Sequence, residues 1–230
     1  MKVIILAGGL GSRLSKYTSS IPKPMVKIGN IPIIEHIMNI YVKNGFDDFI
    51  IAAGYKGEVI KKYFYKNNKF NVKVINTGQK TLTGGRILRL KKLINNERFM
   101  LTYGDGIANI NLKRLLSFHI KNKKMITVTA VRPPARFGVI EIKKNLVIDF
   151  KEKIQMRHGW INGGFFVVEP NFMELIKNDN SILEREPLEK ASQNKQLVAF
   201  KHHKFWQCMD TNRDKEHLES LLKNNHADWL

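Results

Sequence analysis

Apolar positions in the first half of the chain follow two alternating rhythms. Four short runs, Val3–Leu6, Phe49–Ala52, Val72–Ile75 and Phe99–Thr102, have the length and the β-branched or aromatic content of buried strands. Between them, Ile33–Lys43, Glu58–Tyr65 and Gly85–Leu93 repeat apolar residues at helical spacing, as in Ile34, Ile37, Met38 and Tyr41. Strands separated by amphipathic helices return through crossovers and pair in parallel, with helices covering both faces of the sheet. The pattern therefore predicts an α/β fold with a doubly wound, mostly parallel sheet. In such sheets ligands sit beyond the carboxyl ends of the strands, where the loops Gly8–Arg13 and Tyr103–Gly106 fall.

After a predicted helix at Asn111–Lys121 the rhythm changes to strands in quick succession: Met125–Val131, Phe137–Ile142, Leu146–Lys151 and Trp160–Val168. Helices near Glu184–Gln193 and Asp214–Lys223 flank a further strand pair, Leu197–Lys201 and Phe205–Met209. No low-complexity linker or internal repeat divides the chain. The expectation is one domain over 1–230, with a first half at 1–121 and a second half at 122–230 that adds strands beside the site.

Composition changes the picture at one point. Among 230 residues, 39 Lys+Arg stand against 20 Asp+Glu, a formal charge of +19. Such a field attracts nucleic acid, anionic membrane surfaces and phosphorylated small molecules alike, and charge alone does not choose among them. The lysines are scattered through polar stretches, which reads as a solvated surface rather than a dedicated polyanion site. The single cysteine, Cys208, excludes an intramolecular disulfide and a cysteine-rich zinc site. No apolar run approaches 18 residues and no cleavable leader is recognisable, so the expected location is cytoplasmic.

The candidate chemistry begins at Gly8-Gly9-Leu10-Gly11-Ser12-Arg13, where an apolar run feeds a glycine-rich turn that ends on a cation. Glycines let backbone N–H groups approach a phosphate, and Arg13 adds a planar fork of donors. Lys23, between Pro22 and Pro24, sits on backbone expected to be extended and stiff, and reads as a second phosphate-binding cation. Asp105 and Asp210 each follow a short apolar run; Mg²⁺ takes one or two carboxylates and completes its shell with water and phosphate oxygens, which such a pair suits. Thr83-Gly84-Gly85-Arg86 opens a helix beside the expected nucleotide, with Arg86 reaching polar edges or phosphates. Glu152 and Lys153, and Asn162-Gly163-Gly164 within a strand, place polar groups where a sheet is otherwise apolar; glycine there marks close approach or a β-bulge. A P-loop and a dinucleotide fingerprint are both missing, and His119, His202 and His203 make no metal-ligand pattern.

Taken in order, Leu6-Ala7-Gly8-Gly9-x-Gly11-x-Arg13, Pro22-Lys23-Pro24-Met25, Thr83-Gly84-Gly85-Arg86, Tyr103-Gly104-Asp105-Gly106, Arg136-Phe137-Gly138, Glu152-Lys153, Trp160-Ile161-Asn162-Gly163-Gly164-Phe165-Phe166 and Phe205-Trp206-Gln207-x-Met209-Asp210-Thr211 resemble the sugar-1-phosphate nucleotidyltransferases. The resemblance runs from Met1 to Ala227-Asp228-Trp229 and is greatest to the cytidylyl branch that acts on glucose 1-phosphate. It implies a Rossmann-like sheet and Mg²⁺-dependent transfer from CTP to glucose 1-phosphate, giving CDP-glucose and pyrophosphate. Another sugar 1-phosphate, another phosphorylated acceptor or another nucleoside triphosphate stays open, and a non-catalytic polyanion-binding protein is the reading from a different class.

By the resemblance, Leu6, Ala7, Gly8, Gly9, Gly11 and Ser12 line the nucleotide, with Arg13 and Lys23 on its phosphates. Thr83, Gly84 and Arg86 lie near its base and ribose, Tyr103 and Gly104 also bind the nucleotide, and Asp105 and Asp210 hold the metal. Gly138, Glu152, Lys153, Asn162 and Gly163 contact the sugar phosphate, Lys153 taking its phosphate. The implied chemistry is in-line attack by the acceptor's phosphate oxygen on the α-phosphorus, with no protein nucleophile, so Arg13, Lys23 and Lys153 act by neutralising and positioning two anions. The implied partners are small molecules, without nucleic acid or membrane, in a homo-oligomer. One departure stands out: the branch carries an insertion after the helix ending near Tyr65, where this chain has only the connector Lys66-Asn67-Asn68-Lys69-Phe70-Asn71. Asn212 replaces an expected apolar residue.

Overall fold

The alternation of strands and helices folds as its periodicity predicts. The computed structural model describes residues 1–67, 69–133, 139–151 and 159–230. The first half runs β1 (Lys2–Ala7), α1 (Ile33–Lys43), β2 (Asp48–Ala53), α2 (Gly57–Lys66), β3 (Asn71–Asn76), α3 (Thr83–Arg89), β4 (Phe99–Tyr103), β5 (Gly106–Ala108) and α4 (Leu112–Asn122). The second half runs β6 (Ile126–Val131), β7 (Val139–Lys143), β8 (Leu146–Lys151), β9 (Ile161–Val168), α5 (Glu186–Gln193), β10 (Leu197–Lys201), β11 (Trp206–Cys208) and α6 (Asn212–Lys223). A seven-stranded sheet takes the order β10-β6-β9-β4-β1-β2-β3. Only β9 runs against the rest, antiparallel to both β4 and β6.

The pleat of β1 explains the two-sided core. Val3, Ile5 and Ala7 face one side and pack with Ile33, Ile37, Met38 and Tyr41 of α1. Ile4 and Leu6 face the other, with Ile87, Leu90 and Phe172. Every one of these side chains is buried, worth about 1.5–3 kcal/mol for each large aliphatic residue withdrawn from water. The chain leaves β1 toward β2 on one side and later adds β4 on the other, so the order reverses between β1 and β4. That switch point opens a crevice at the carboxyl ends of the strands.

Three expectations are corrected by the fold. The helix read as Gly85–Leu93 is two pieces, Thr83–Arg89 and Lys91–Ile94, broken at Leu90, whose 3-10-like turn buries Leu90 and Ile94 together. The helix expected from Glu184 begins at Glu186, with Pro187 in its first turn. Lys23 is not extended: Pro22 is, at φ −70° and ψ 149°, and Lys23–Met25 then closes a 3-10 turn. Phe137, expected to begin a strand, lies outside the described residues, and the hairpin there pairs β7 with β8.

Three buried histidines carry a pH dependence. His36 Nε2 donates to the Ile28 carbonyl while its Nδ1 accepts from the Trp229 indole, a pattern only the neutral ring satisfies. His119 contacts Thr127 and Glu169, and His202 contacts the Phe205 carbonyl. Burial is the leading cause that holds all three below the ordinary value of 6.5. The unfolded chain therefore binds more protons than the folded one as pH falls through 6.5, and stability present above that value is lost. The melting temperature is expected to drop by several degrees between pH 7.5 and pH 5.5; a flat profile would contradict this reading.

Candidate active site

At the crevice, backbone pairing brings the sequence-predicted groups together. Leu6 of β1 pairs with Tyr103 of β4, and the Gly104 amide donates to the Leu6 carbonyl at 3.0 Å. The chain then turns through Asp105 into β5, a three-residue strand that pairs with β11, Gly106 opposite Cys208. Met209 N–H donates to the Asp105 carbonyl at 2.8 Å. This short ladder sets Asp105 and Asp210 side by side across 105 residues of sequence. Asp210 is further held by the start of α6, where Asp214 accepts from the Asp210 and Thr211 amides at 3.0 and 2.8 Å and completes a capping box with Thr211.

Lys23 reaches into the same place from its turn. Its Nζ lies 2.6 Å from Asp105 Oδ2 and 2.5 Å from Asp210 Oδ1, and Arg13 Nη1 lies 3.1 Å from Asp210 Oδ2. Burial alone lowers the Lys23 pKa, but the two carboxylates reverse that and hold it above 10.5. Two carboxylates thus converge on one cation-sized point, with two cations within reach of whatever anion arrives. That donor set fits Mg²⁺, which is content with two protein carboxylates when phosphate and water supply the rest. Among the described residues no group of three or more His, Cys, Asp or Glu side chains gathers into an all-protein cage.

Two cavities meet at this charge cluster. The first, about 360 Å³, is lined by Leu6, Ala7, Gly8, Gly9, Gly11 and Ser12 from the opening loop and by Thr83, Arg86, Tyr103 and Gly104 across from it. The second, about 270 Å³, is lined by Asn162, Gly163 and Gly164 of β9 with Thr102, Trp206 and Cys208. Arg13, Tyr103, Asp105 and Asp210 line both. Gly138, Glu152 and Lys153, expected on the acceptor side, lie outside the described residues.

The glycines divide by cause. Gly11 adopts φ +65°, a left-handed conformation that turns the loop back over Lys23. A Cβ on Gly8 would sit 2.0 Å from Arg86 Cζ, so this glycine answers to a buried arginine as much as to any ligand. In β9 the pairing register shifts between Asn162 and Phe166, and Gly164 at φ +79° makes room for the Tyr103 ring, whose Cδ2 would lie 2.7 Å from an added Cβ. The β-bulge expected as one reading of these glycines occurs, and what approaches Gly164 closely is the Tyr103 ring.

Two expected residues behave differently. Gly84 turns away from the cavity and packs on the Ser181 backbone, its amide donating to the Ser181 carbonyl at 2.9 Å. Arg86 lines the cavity, but its guanidinium is occupied: Nη1 donates to Ala53 O, Thr77 Oγ1 and Gly78 O at 3.2, 2.7 and 2.8 Å, and Nη2 to Gly8 O at 3.0 Å. Ends of β1, β2 and β3 supply those oxygens, so Arg86 organises the loop floor rather than presenting a free fork to a ligand. An arginine in a Gly-rich helix start gives no sign of this in sequence, because the carbonyls come from three other segments.

Sequence reasoning missed Glu184 and Asp214. The spacing of Thr211 and Asp214 was a readable cap; Glu184, two residues ahead of α5, carried no signal. Its Oε1 accepts from Tyr103 Oη at 2.5 Å and its Oε2 from Thr83 Oγ1 at 2.7 Å. Burial first, then the Glu184 carboxylate, raise the Tyr103 pKa, so that proton stays on the phenol. Cys208 lines the second cavity as a neutral thiol, its pKa pushed up to about 12 by burial and by Asp210, Asp105 and Asp214.

Residues 2–228 match the nucleotidyl transferase family. The glucose-1-phosphate cytidylyltransferase of Salmonella typhimurium is 43% identical over 253 positions, covering 100% of this chain and 98% of the relative. The probable glucose-1-phosphate cytidylyltransferase of Bacillus subtilis is 37% identical, covering 100% and 99%. The 253 aligned positions exceed the 230 residues of this chain, so the Salmonella protein carries segments with no counterpart here. Among solved structures, HddC of Yersinia pseudotuberculosis complexed with GMP-PN superposes with a TM-score of 0.77 at 25% identity, over 96% of this chain and 99% of that one.

Proposed function

The chain belongs to the nucleotidyl transferase family, and from that premise we propose that it joins CTP to glucose 1-phosphate, releasing pyrophosphate. The observation that carries the reading is the pair of adjoining cavities that share Arg13, Tyr103, Asp105 and Asp210. Transfer between two phosphates needs both anions at one charged junction, and a protein that only binds a nucleotide needs no second cavity there. The nucleotide lies along Gly8–Arg13 with its base toward Thr83, and the acceptor lies against Asn162 and Gly163. Gly138, Glu152 and Lys153 complete the acceptor side by the same family resemblance.

Arg13 and Lys23 bind phosphate oxygens and offset the repulsion between the two substrates, and the rigid β4–β5 turn keeps Asp105 in register with Asp210. Asp105 and Asp210 would hold Mg²⁺, which when bound would supply charge neutralisation to the substrate phosphates. The acceptor's phosphate is ionised at neutral pH, so no side chain has to remove a proton before attack. Two anions brought to one charged junction by Arg13 and Lys23 support direct in-line displacement.

The test is a matrix of four nucleoside triphosphates against a panel of sugar 1-phosphates, followed by pyrophosphate release with Mg²⁺ present. CTP with glucose 1-phosphate is expected to give the highest kcat/KM. A faster pair with a different base or sugar would replace the assigned substrates, and no turnover with any pair would remove the transferase reading.

A further inference from the structure

We propose that Glu184 is a positioning residue for the acceptor, acting through Tyr103 and Asn162; the proposal rests on the transferase reading above. A carboxylate only accepts hydrogen bonds, so it dictates the direction of every bond that follows from it. Tyr103 Oη donates to Glu184 Oε1 at 2.5 Å, which leaves its oxygen to accept from Asn162 Nδ2 at 3.1 Å. Asn162 Oδ1 accepts from the Gly164 amide at 2.8 Å. Both ends of the Asn162 amide are therefore fixed, and Asn162 lines the second cavity.

The same carboxylate holds the nucleotide side. Glu184 Oε2 accepts from Thr83 Oγ1 at 2.7 Å, and the Thr83 oxygen accepts from the Leu183 amide at 2.9 Å. Tyr103, which lines both cavities, is the wall between them: its ring stands edge-on to Phe166, with centroids 5.9 Å apart, and seats against the bare Cα of Gly164. Packing sets where the ring lies, and Glu184 sets which way its hydroxyl points. Glu184 is itself exposed, so its value to stability is small while its effect on hydrogen-bond direction is not.

The variant Glu184→Gln keeps the shape and replaces one accepting oxygen with a donating amide, so one of the two hydroxyls loses its acceptor. The expected result is a rise of about tenfold in KM for glucose 1-phosphate, with a smaller rise in KM for CTP through Thr83 and the melting temperature unchanged. Combined with Asn162→Ala, Glu184→Gln is expected to add nothing further, because it acts through that residue. An unchanged acceptor KM, effects that multiply in the double variant, or a rise in both KM values together with a lower melting temperature would each overturn the proposal. Turnover of the wild type is measured first: its absence with every pair overturns the transfer reading and this inference with it, whereas active wild type with an unaffected variant overturns this inference alone.

Discussion

Asp105→Asn is expected to lower kcat/KM by at least about 10²-fold while the protein keeps its fold. The side chain projects from a turn between two strands, and its shape survives the change to an amide. What is lost is one of the two carboxylates that converge on the Lys23 ammonium, 2.6 Å from Asp105 and 2.5 Å from Asp210. Asp210→Asn is expected to fall by a similar factor. The double variant should be little worse than either single one, because the pair works as a unit on one bound cation. Steady-state pyrophosphate release, read beside the melting temperature, checks this. Wild-type activity in either single variant would remove that residue from the charge cluster.

Arg86→Met is expected to cost stability on the order of 3–5 kcal/mol, through the loss of several charge-assisted bonds and the stranding of buried carbonyls. Arg86 is only 4% exposed, and its guanidinium draws together Gly8, Ala53, Thr77 and Gly78. Those oxygens stand at the ends of three neighbouring parallel strands, so the loss also loosens the Gly8–Arg13 loop. For a chain of this size the melting temperature should fall by roughly 10 °C. Gly8→Ala is expected to act through the same residue, since its Cβ would fall 2.0 Å from Arg86 Cζ. Thermal unfolding of both variants tests the point; an Arg86→Met protein as stable as the wild type would mean that the carbonyls find water instead.

Much of this was legible in the chain because hydrophobic runs report burial directly. The four strands of the first half and α1 lie where the apolar periodicity puts them, and the parallel order follows from the helices between them. The glycine-rich opening loop, Lys23 and both aspartates line one cavity. The rest depends on partners distant in sequence. A three-residue ladder such as β5–β11 has no periodicity to detect, yet it sets Asp105 beside Asp210. Arg86 reads as a ligand-binding cation because sequence does not show which backbone carbonyls a fold will bring to it. Glu184 is an exposed acid before a helix, ordinary in sequence, whose importance comes from Tyr103 and Thr83 about 80 and 100 residues earlier.

The central claim is tested most directly by identifying the product formed from CTP and glucose 1-phosphate with Mg²⁺ and the wild-type protein, by mass spectrometry with pyrophosphate measured in the same sample. The expected result is CDP-glucose and pyrophosphate in equal amounts, with no free CMP. CMP without a sugar nucleotide, or neither product, would contradict the account.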